Sequence, residues 1–405
     1  MKYNKYNKYN AWTVALVSAG VVSLPAAARA EETATTNSVL TALSTTTISG
    51  YVDTSIHWNP GTGNANTPVY SPNGAPGALK ADGFNLNVIA LTISKPTGEG
   101  DWAAGYNATL LFGPDAVGYN TSPGAANSDF SLKDTYVDLH APLGNGIDLK
   151  LGTFTEILGY EVYETGNNPN YTRSYGYEIE PTALTGLLAT YQVTPSIAAQ
   201  GGIANTWSAG VNRRATPPEA ESFKTYLGGL TLTAPKSFGF LEGSTLFGGI
   251  INGYDVNAQG IKTSWYVGGT FKTPLKCVTL GLAYDYVNLA NNVTFDANNN
   301  PVPHKSGYQS AAAAYLLWQV ADKLTLNTRV DYLSQSAYLA TPGLPRDAFA
   351  LTETLQYELW KNVISRLEFR WDHSLGGNDT YGGEIRGAPN SENALLVAAN
   401  IIYKF

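Results

Sequence analysis

The sequence predicts an all-β fold, a transmembrane antiparallel up-and-down β-barrel of about sixteen strands. Three observations carry that expectation. From about Thr46 onward, short segments that alternate with period two recur with turn residues between them. The links between those segments alternate in length, short on one side and long and polar on the other. Composition agrees: 41 Gly, 26 Tyr and 8 Trp stand against one Met and 14% charged residues, which suits pleated, half-apolar strands better than helices. After the first thirty residues no run of eighteen apolar residues occurs, so any passage across a bilayer must be made by strands.

Taken in order, the chain opens with a basic stretch (Lys2, Lys5, Lys8), a short apolar run from Ala11 to Pro25, and Ala28-Arg29-Ala30 at the usual cleavage positions. Residues 1–30 therefore read as a secretory signal peptide, with an apolar run too short to span a bilayer as a helix. Residues 31–45 form a short periplasmic lead-in, and 46–405 the barrel. That lead-in is far too short for a plug domain, which argues against a plugged, energy-coupled transporter. Losing four basic residues takes the formal charge from −7 to −11, which argues against a nucleic-acid partner. Cys277 is the only cysteine, so no intrachain disulfide, CxxC redox site or thiolate zinc site is expected.

The expected strands are 46–58, 84–95, 101–113, 129–142, 147–154, 183–194, 196–207, 222–234, 243–254, 261–273, 276–289, 307–320, 323–334, 347–359, 362–373 and 393–405. Short links fall at 142–146, 194–195, 274–275, 321–322 and 360–361, with longer ones near 96–98 and 235–243. Long polar stretches fall at 59–83, 114–128, 155–182, 208–221, 290–306, 335–346 and 374–392, with a shorter one near 255–260. Short periplasmic turns and long extracellular loops, with both termini in the periplasm, are the pattern of an outer-membrane barrel. A soluble sandwich shows no such asymmetry.

Parity within the strands separates two faces. Val278, Leu280, Leu282, Tyr284 and Tyr286 oppose Thr279, Gly281, Ala283 and Asp285. Leu324, Leu326, Val330 and Tyr332 oppose Thr325, Asn327, Arg329 and Asp331. Val363, Leu367, Phe369 and Trp371 oppose Arg366, Glu368, Arg370 and Asp372. Charges in a packed core cost several kcal/mol without partners, whereas charges facing a water-filled lumen cost little. Aromatics on the apolar parity fall at strand ends, as membrane girdles require: Trp58, Trp207, Trp265, Tyr308, Tyr332 and Trp371 at the outer rim, and Trp102, Tyr191, Phe271, Trp318, Tyr357, Tyr403 and Phe405 at the periplasmic rim. Two places fit badly. Segment 84–95 turns apolar on both parities, and Glu353 sits among lipid-facing Phe349, Leu351, Leu355 and Tyr357. The expectation at Glu353 is contact with a neighbouring subunit or a bulge in the strand.

The final alternating segment ends on Phe405, which resembles the sorting signal of Gram-negative outer-membrane barrels. A more specific likeness lies in Lys133-Asp134-Thr135-Tyr136-Val137-Asp138-Leu139, then Pro142-Leu143-Gly144-Asn145-Gly146, then Leu149-Lys150-Leu151-Gly152-Thr153-Phe154. Gly159-Tyr160-Glu161, Asn170-Tyr171-Thr172-Arg173-Ser174, Pro181-Thr182 and Thr185-Gly186 continue it. These stretches resemble the beta-barrel porin-2 family, whose members often carry a His where this chain has Leu184. The resemblance covers about fifty residues in its specific part. It implies an outer-membrane channel for small hydrophilic molecules and supplies no substrate.

Sixteen strands leave an aqueous channel rather than a filled interior, so selectivity depends on whatever narrows it. The candidate is loop 155–182, rich in Tyr and acidic residues, folding inward. Its Glu156, Glu161, Glu164 and Arg173 are expected to face Lys150, Arg329, Arg366 and Arg370 on the wall, where Asp331 and Glu368 also belong to the lining, with a transverse field between acid and base; the alternative is a loop lying outside as a lid, with the arginines paired to Asp331, Glu368 and Asp372. The surplus of acid suggests mild cation preference; a Tyr-rich lining suits a sugar-preferring channel, and a non-conducting structural or adhesive barrel is the third reading. Hydrolase chemistry is disfavoured, because His57, His140, His304 and His373 are scattered and no Gly-x-Ser-x-Gly element accompanies them. No His/Asp/Glu grouping has metal-ligand spacing, and no cofactor is expected. The expected partners are outer-membrane lipids, small hydrophilic solutes and ions, with a homotrimer suggested by likeness in size to trimeric general porins.

Overall fold

The computed structural model describes residues 45–405 apart from 69–79, 99, 120, 122–128, 216–222, 291–292, 296–300, 304–305, 342 and 385–386. The signal peptide expected at 1–30, most of the lead-in and His304 lie outside the described residues. Sixteen strands close into one antiparallel barrel. In chain order they are β1 (Thr47–Trp58), β2 (Gly83–Lys95), β3 (Ala103–Phe112), β4 (Phe130–Ala141), β5 (Ile147–Thr155), β6 (Ala183–Thr194), β7 (Ile197–Ala204), β8 (Thr225–Thr233), β9 (Thr245–Asp255), β10 (Gly260–Lys272) and β11 (Val278–Leu289). A small separate hairpin, β12 (Val293–Phe295) and β13 (Pro301–Pro303), follows. The barrel resumes with β14 (Gly307–Ala321), β15 (Leu324–Gln335), β16 (Asp347–Trp360), β17 (Val363–Leu375) and β18 (Asn393–Lys404).

Each strand pairs with the next along the chain, except that β11 pairs with β14 past the separate hairpin, and β1 pairs with β18 to close the ring. Two backbone bonds finish that seam, Gly50 N to Phe405 O and Phe405 N to Gly50 O, both 2.9 Å. Closure leaves no unpaired edge, which is what a hydrocarbon environment demands. The links at one end are short (142–146, 195–196, 273–277, 322–323 and 361–362, with 96–102 and 234–244 longer), while the other end carries 59–82, 113–129, 156–182, 205–224 and 376–392. Among the described residues no helix is long and apolar enough to cross a membrane.

The two parities separate as the alternation dictates. Leu280, Leu282, Tyr284, Leu367, Phe369, Val330 and Tyr332 face outward and exposed, while Arg329, Asp331, Glu368, Arg370 and Asp372 are at most 1% exposed. Trp58, Trp102, Trp265, Trp318, Tyr357 and Tyr403 are exposed towards the strand ends. Trp207 departs from the expected girdle. β7 ends at Ala204, and the indole turns inward, where its Nε1 donates to Ser264 Oγ at 2.9 Å and Lys262 Nζ lies 4.2 Å from the ring centre.

The two awkward segments resolve differently. In β2 the register against β1 slips, so that Asp53 pairs with Val88 but Thr54 with Leu86. Asn87 is the extra residue, a β-bulge that switches parity midway and turns Phe84 and Leu86, then Ile89, outward. At Glu353 the expected bulge is absent: β16 runs in register there, with Glu353 opposite Thr328 and Phe369. Its carboxylate instead accepts a hydrogen bond from Thr328 Oγ1 at 2.9 Å within its own barrel.

Candidate functional site

The segment between β5 and β6 lies inside the barrel. Local chemistry shapes it first. The Asn168 side chain closes a turn, its Oδ1 accepting from Val162 N at 2.8 Å and its Nδ2 donating to the carbonyls of Val162 and Glu164 at 2.5 and 3.1 Å. Ser174 caps the short helix Tyr175–Ile179 by accepting from Tyr177 N. Gly159 adopts φ +95°, and a Cβ there would stand 2.5 Å from Glu180 Oε2, so this bend requires glycine. Arg173, fully buried, donates to Tyr171 O at 2.9 Å and to Tyr163 O at 2.7 Å, drawing the loop's two limbs together.

The wall then grips the loop. Arg329 Nη1 donates to Glu161 Oε1 at 2.9 Å and to Thr172 O at 2.7 Å. Arg329 Nη2 and Arg370 Nη1 both reach Arg173 O, at 3.0 and 2.6 Å. Arg366 holds the carbonyls of Thr165 and Asn168, each at 2.7 Å. Glu368 accepts from the backbone of Tyr171 at 2.5 Å and of Thr172 at 2.9 Å, and Asp372 accepts from Tyr175 OH at 2.7 Å. Lys404 reaches Asn167 Oδ1 at 2.9 Å, and the Tyr171 hydroxyl lies 2.8 Å from His57 Nε2. Charge-assisted bonds of this kind contribute about 1.5–3 kcal/mol each, and here they satisfy carbonyls that would otherwise be buried without donors.

The opposite limb packs by shape. Leu158 and Ile157 fill the space left by Gly249 and Gly229, and Tyr160 stacks on Tyr315 with ring centres 4.1 Å apart. The short helix Pro114–Tyr119 adds Tyr119, whose ring meets Tyr163 at 5.1 Å and whose hydroxyl lies 3.0 Å from Thr155 Oγ1.

Wall and loop leave a cavity of about 230 Å³ beside β3 to β7. Asn107, Thr109, Tyr136, Lys150, Thr190 and Gln200 line it from the wall; Glu156, Glu161, Glu164, Tyr163, Tyr177 and Glu180 line it from the loop. Burial raises the Glu180 carboxyl well above its ordinary range, reinforced by Asp285 and Glu156. Burial likewise pushes Glu178 up to about 8, against the pull of Arg370 and Arg173.

Of the residues singled out from the sequence, Glu156, Glu161, Glu164 and Lys150 line the cavity. Arg173, Arg329, Asp331, Arg366, Glu368 and Arg370 do not; all are at most 3% exposed, sealed between loop and wall. The expected opposition across open water is replaced by direct contact, because backbone carbonyls and carboxylates of the loop approach within hydrogen-bond reach of every one of these guanidiniums. Lys133 and Asp134, which also line the cavity, escaped parity reasoning. A bulge sets Ala108 opposite Thr135 but Leu110 opposite Leu132, so two adjacent side chains of β4 turn inward where alternation allows one. Lys133 bridges Asp134 at 2.5 Å and Glu164 at 2.9 Å. Among the described residues no group of His, Cys, Asp or Glu is arranged to hold a metal ion.

The fold is shared with solved structures of low sequence identity. The outer membrane channel DcaP of Acinetobacter baumannii aligns with a TM-score of 0.56 at 13% identity, covering 89% of this chain and 97% of that one. An anion-selective porin from Comamonas acidovorans gives 0.56 at 12%, covering 89% and 99%. The trimer form of OmpT of Vibrio cholerae gives 0.52 at 14%, covering 89% and 99%. No curated protein matches the sequence. The match to a sequence family is far broader than the fifty residues that first suggested it: across residues 45–405 this chain belongs to the beta-barrel porin-2, OmpL-like family.

Proposed function

We propose that the protein is an outer-membrane porin through which small hydrophilic solutes diffuse passively, by way of the cavity beside β3 to β7. The observation that carries this reading is the division of the barrel wall: apolar and aromatic side chains outward, as lipid requires, and charged and polar side chains inward around a loop that leaves about 230 Å³ unfilled. In this reading the short-turn end faces the periplasm and the long loops face outside. Loop 156–182 is the constriction, held rigidly rather than hinged, since three guanidiniums, Arg329 from β15 and Arg366 and Arg370 from β17, clasp its backbone.

Several observations weigh against the alternatives. Tyr160, Tyr171 and Tyr175 are at most 3% exposed and none of them lines the cavity, so their faces are spent on packing and are not offered for sugars to stack on. His57 and His140 are engaged by Tyr171 and by Asp148, at 2.8 and 2.6 Å, and neither joins a nucleophile–base–acid arrangement. The homotrimer remains part of this proposal: Glu353 and Thr328 form a polar pair on an otherwise apolar outward surface, a placement that a protein neighbour tolerates better than lipid does. The test is reconstitution into a planar bilayer. Stepwise conductance supports the porin; a silent but correctly folded barrel supports a structural role instead.

A further inference from the structure

We propose that the passage selects cationic solutes, and that Glu156 and Glu180 on the inward loop are the residues that set this preference. The inference rests on the channel reading above and deepens it.

The charges around the cavity are unequal once the arginines are accounted for. Arg173, Arg329, Arg366 and Arg370 are buried against the loop's carbonyls and carboxylates, and none of them lines the cavity. The basic groups that do line it are Lys133 and Lys150. Lys133 is bridged to Asp134 and Glu164, and Lys150 feels the charges of Asp134, Asp138 and Asp148, with its ammonium 4.7 Å from the Tyr136 ring centre. Each lysine is thus already matched or outnumbered by carboxylates.

Glu156 and Glu180 add further acid on the loop side. Asp285, buried and projecting inward from β11, adds a third carboxyl whose charge acts on both. Like charges gathered this way repel one another, and a cation received among them offsets that repulsion. Beside them on β10, paired with Asp285 across the ladder, Tyr266 is only 4% exposed and its hydroxyl has no hydrogen-bond partner. A buried oxygen without a partner, next to these carboxyl groups, is a place for a hydrated cation or an ammonium group to be received.

The remaining charges facing this cluster are Glu161, itself paired to Arg329, and Lys133. Burial raises the Glu156 carboxyl, as it does that of Glu180. Both therefore gain charge as pH rises, and cation preference rises with them.

The experiment is the reversal potential of the reconstituted full-length channel under a potassium chloride gradient, from about pH 5 to about pH 9. Wild type is expected to favour potassium over chloride, increasingly so with pH. Glu156→Gln with Glu180→Gln is expected to lower the permeability ratio by about twofold or more and to flatten the pH profile. Glu358→Gln, on an exposed residue of β16 away from the cavity, should leave both unchanged. Should the double variant fold poorly, the wild-type pH profile decides alone. An anion-selective wild type, a ratio independent of pH, or a double variant identical to wild type overturns the assignment while leaving the channel intact. Absence of any conductance removes the channel reading and this inference with it.

Discussion

At the scale of single residues, the interior charges act as fasteners. Arg370 donates to Arg173 O while its Nε and Nη2 hold Asp372 at 2.8 and 2.7 Å. Arg370→Ala leaves the buried Asp372 carboxylate without its cation and removes one of the two donors to Arg173 O, at a cost of about 3–5 kcal/mol. The expected outcome is a lower thermal transition of the folded barrel together with a noisier, larger single-channel current. An unchanged current would mean that the clasp is not what holds the loop. Glu178 supplies a second test. Its carboxyl is raised to about 8, chiefly by burial, and its Oε1 is buried without a partner. Because the folded-state value lies above the unfolded one, the neutral form favours the folded loop. That contribution is complete below the ordinary carboxylate range and is lost as pH climbs through about 8. The transition temperature of wild type should therefore fall between about pH 5 and about pH 8, and Glu178→Gln should flatten that fall. Equal slopes in the two proteins would contradict the burial argument.

At the scale of elements, the barrel depends on its seam. β1 and β18 are far apart in sequence, and their ladder ends where Gly50 exchanges two backbone bonds with Phe405. A Cβ at Gly50 would lie 2.2 Å from Ala90 O and 2.7 Å from the Phe405 ring, so Gly50→Val should lower the yield of heat-modifiable, folded barrel into vesicles. A yield equal to wild type would show that the seam relaxes around the clash. The strands themselves were legible in the sequence because period-two alternation between lipid and interior is a strong, local signal, and each of the sixteen falls within three residues of its expected limits. What was hidden were the places where one residue is added without any composition cue. The bulges at Asn87 and at Lys133–Asp134 each reverse the faces downstream, and the second put two charges on the cavity that alternation could not assign. The destination of Trp207 was hidden for a related reason: its partners Ser264 and Lys262 come from a strand not adjacent to its own.

For the whole molecule, charge patterning along a strand says which side chains point inward, but not what they meet there. Arg329, Arg366 and Arg370 face inward as expected, yet they meet peptide rather than water because loop 156–182 carries enough backbone carbonyls and carboxylates to receive them. The motif Asn170-Tyr171-Thr172-Arg173-Ser174 is where that meeting occurs: Glu368 takes two of its amide protons, and Arg329 and Arg370 share one of its carbonyls. The composition of the loop suggested an inward fold; the pairing that removes the arginines from the passage depends on strand-to-loop distances that no local pattern encodes. In the proposed channel the loop is the element that sets the bore, with the barrel as its frame.

The most direct measurement compares single-channel conductance in planar bilayers for wild type and for a variant in which residues 157–181 are replaced by a short Gly-Ser link. Discrete steps are expected in both, with conductance several-fold larger and ion selectivity weaker once the loop is gone. Equal conductance in the two folded barrels would contradict this expectation, since the loop could then not be the element that narrows the passage.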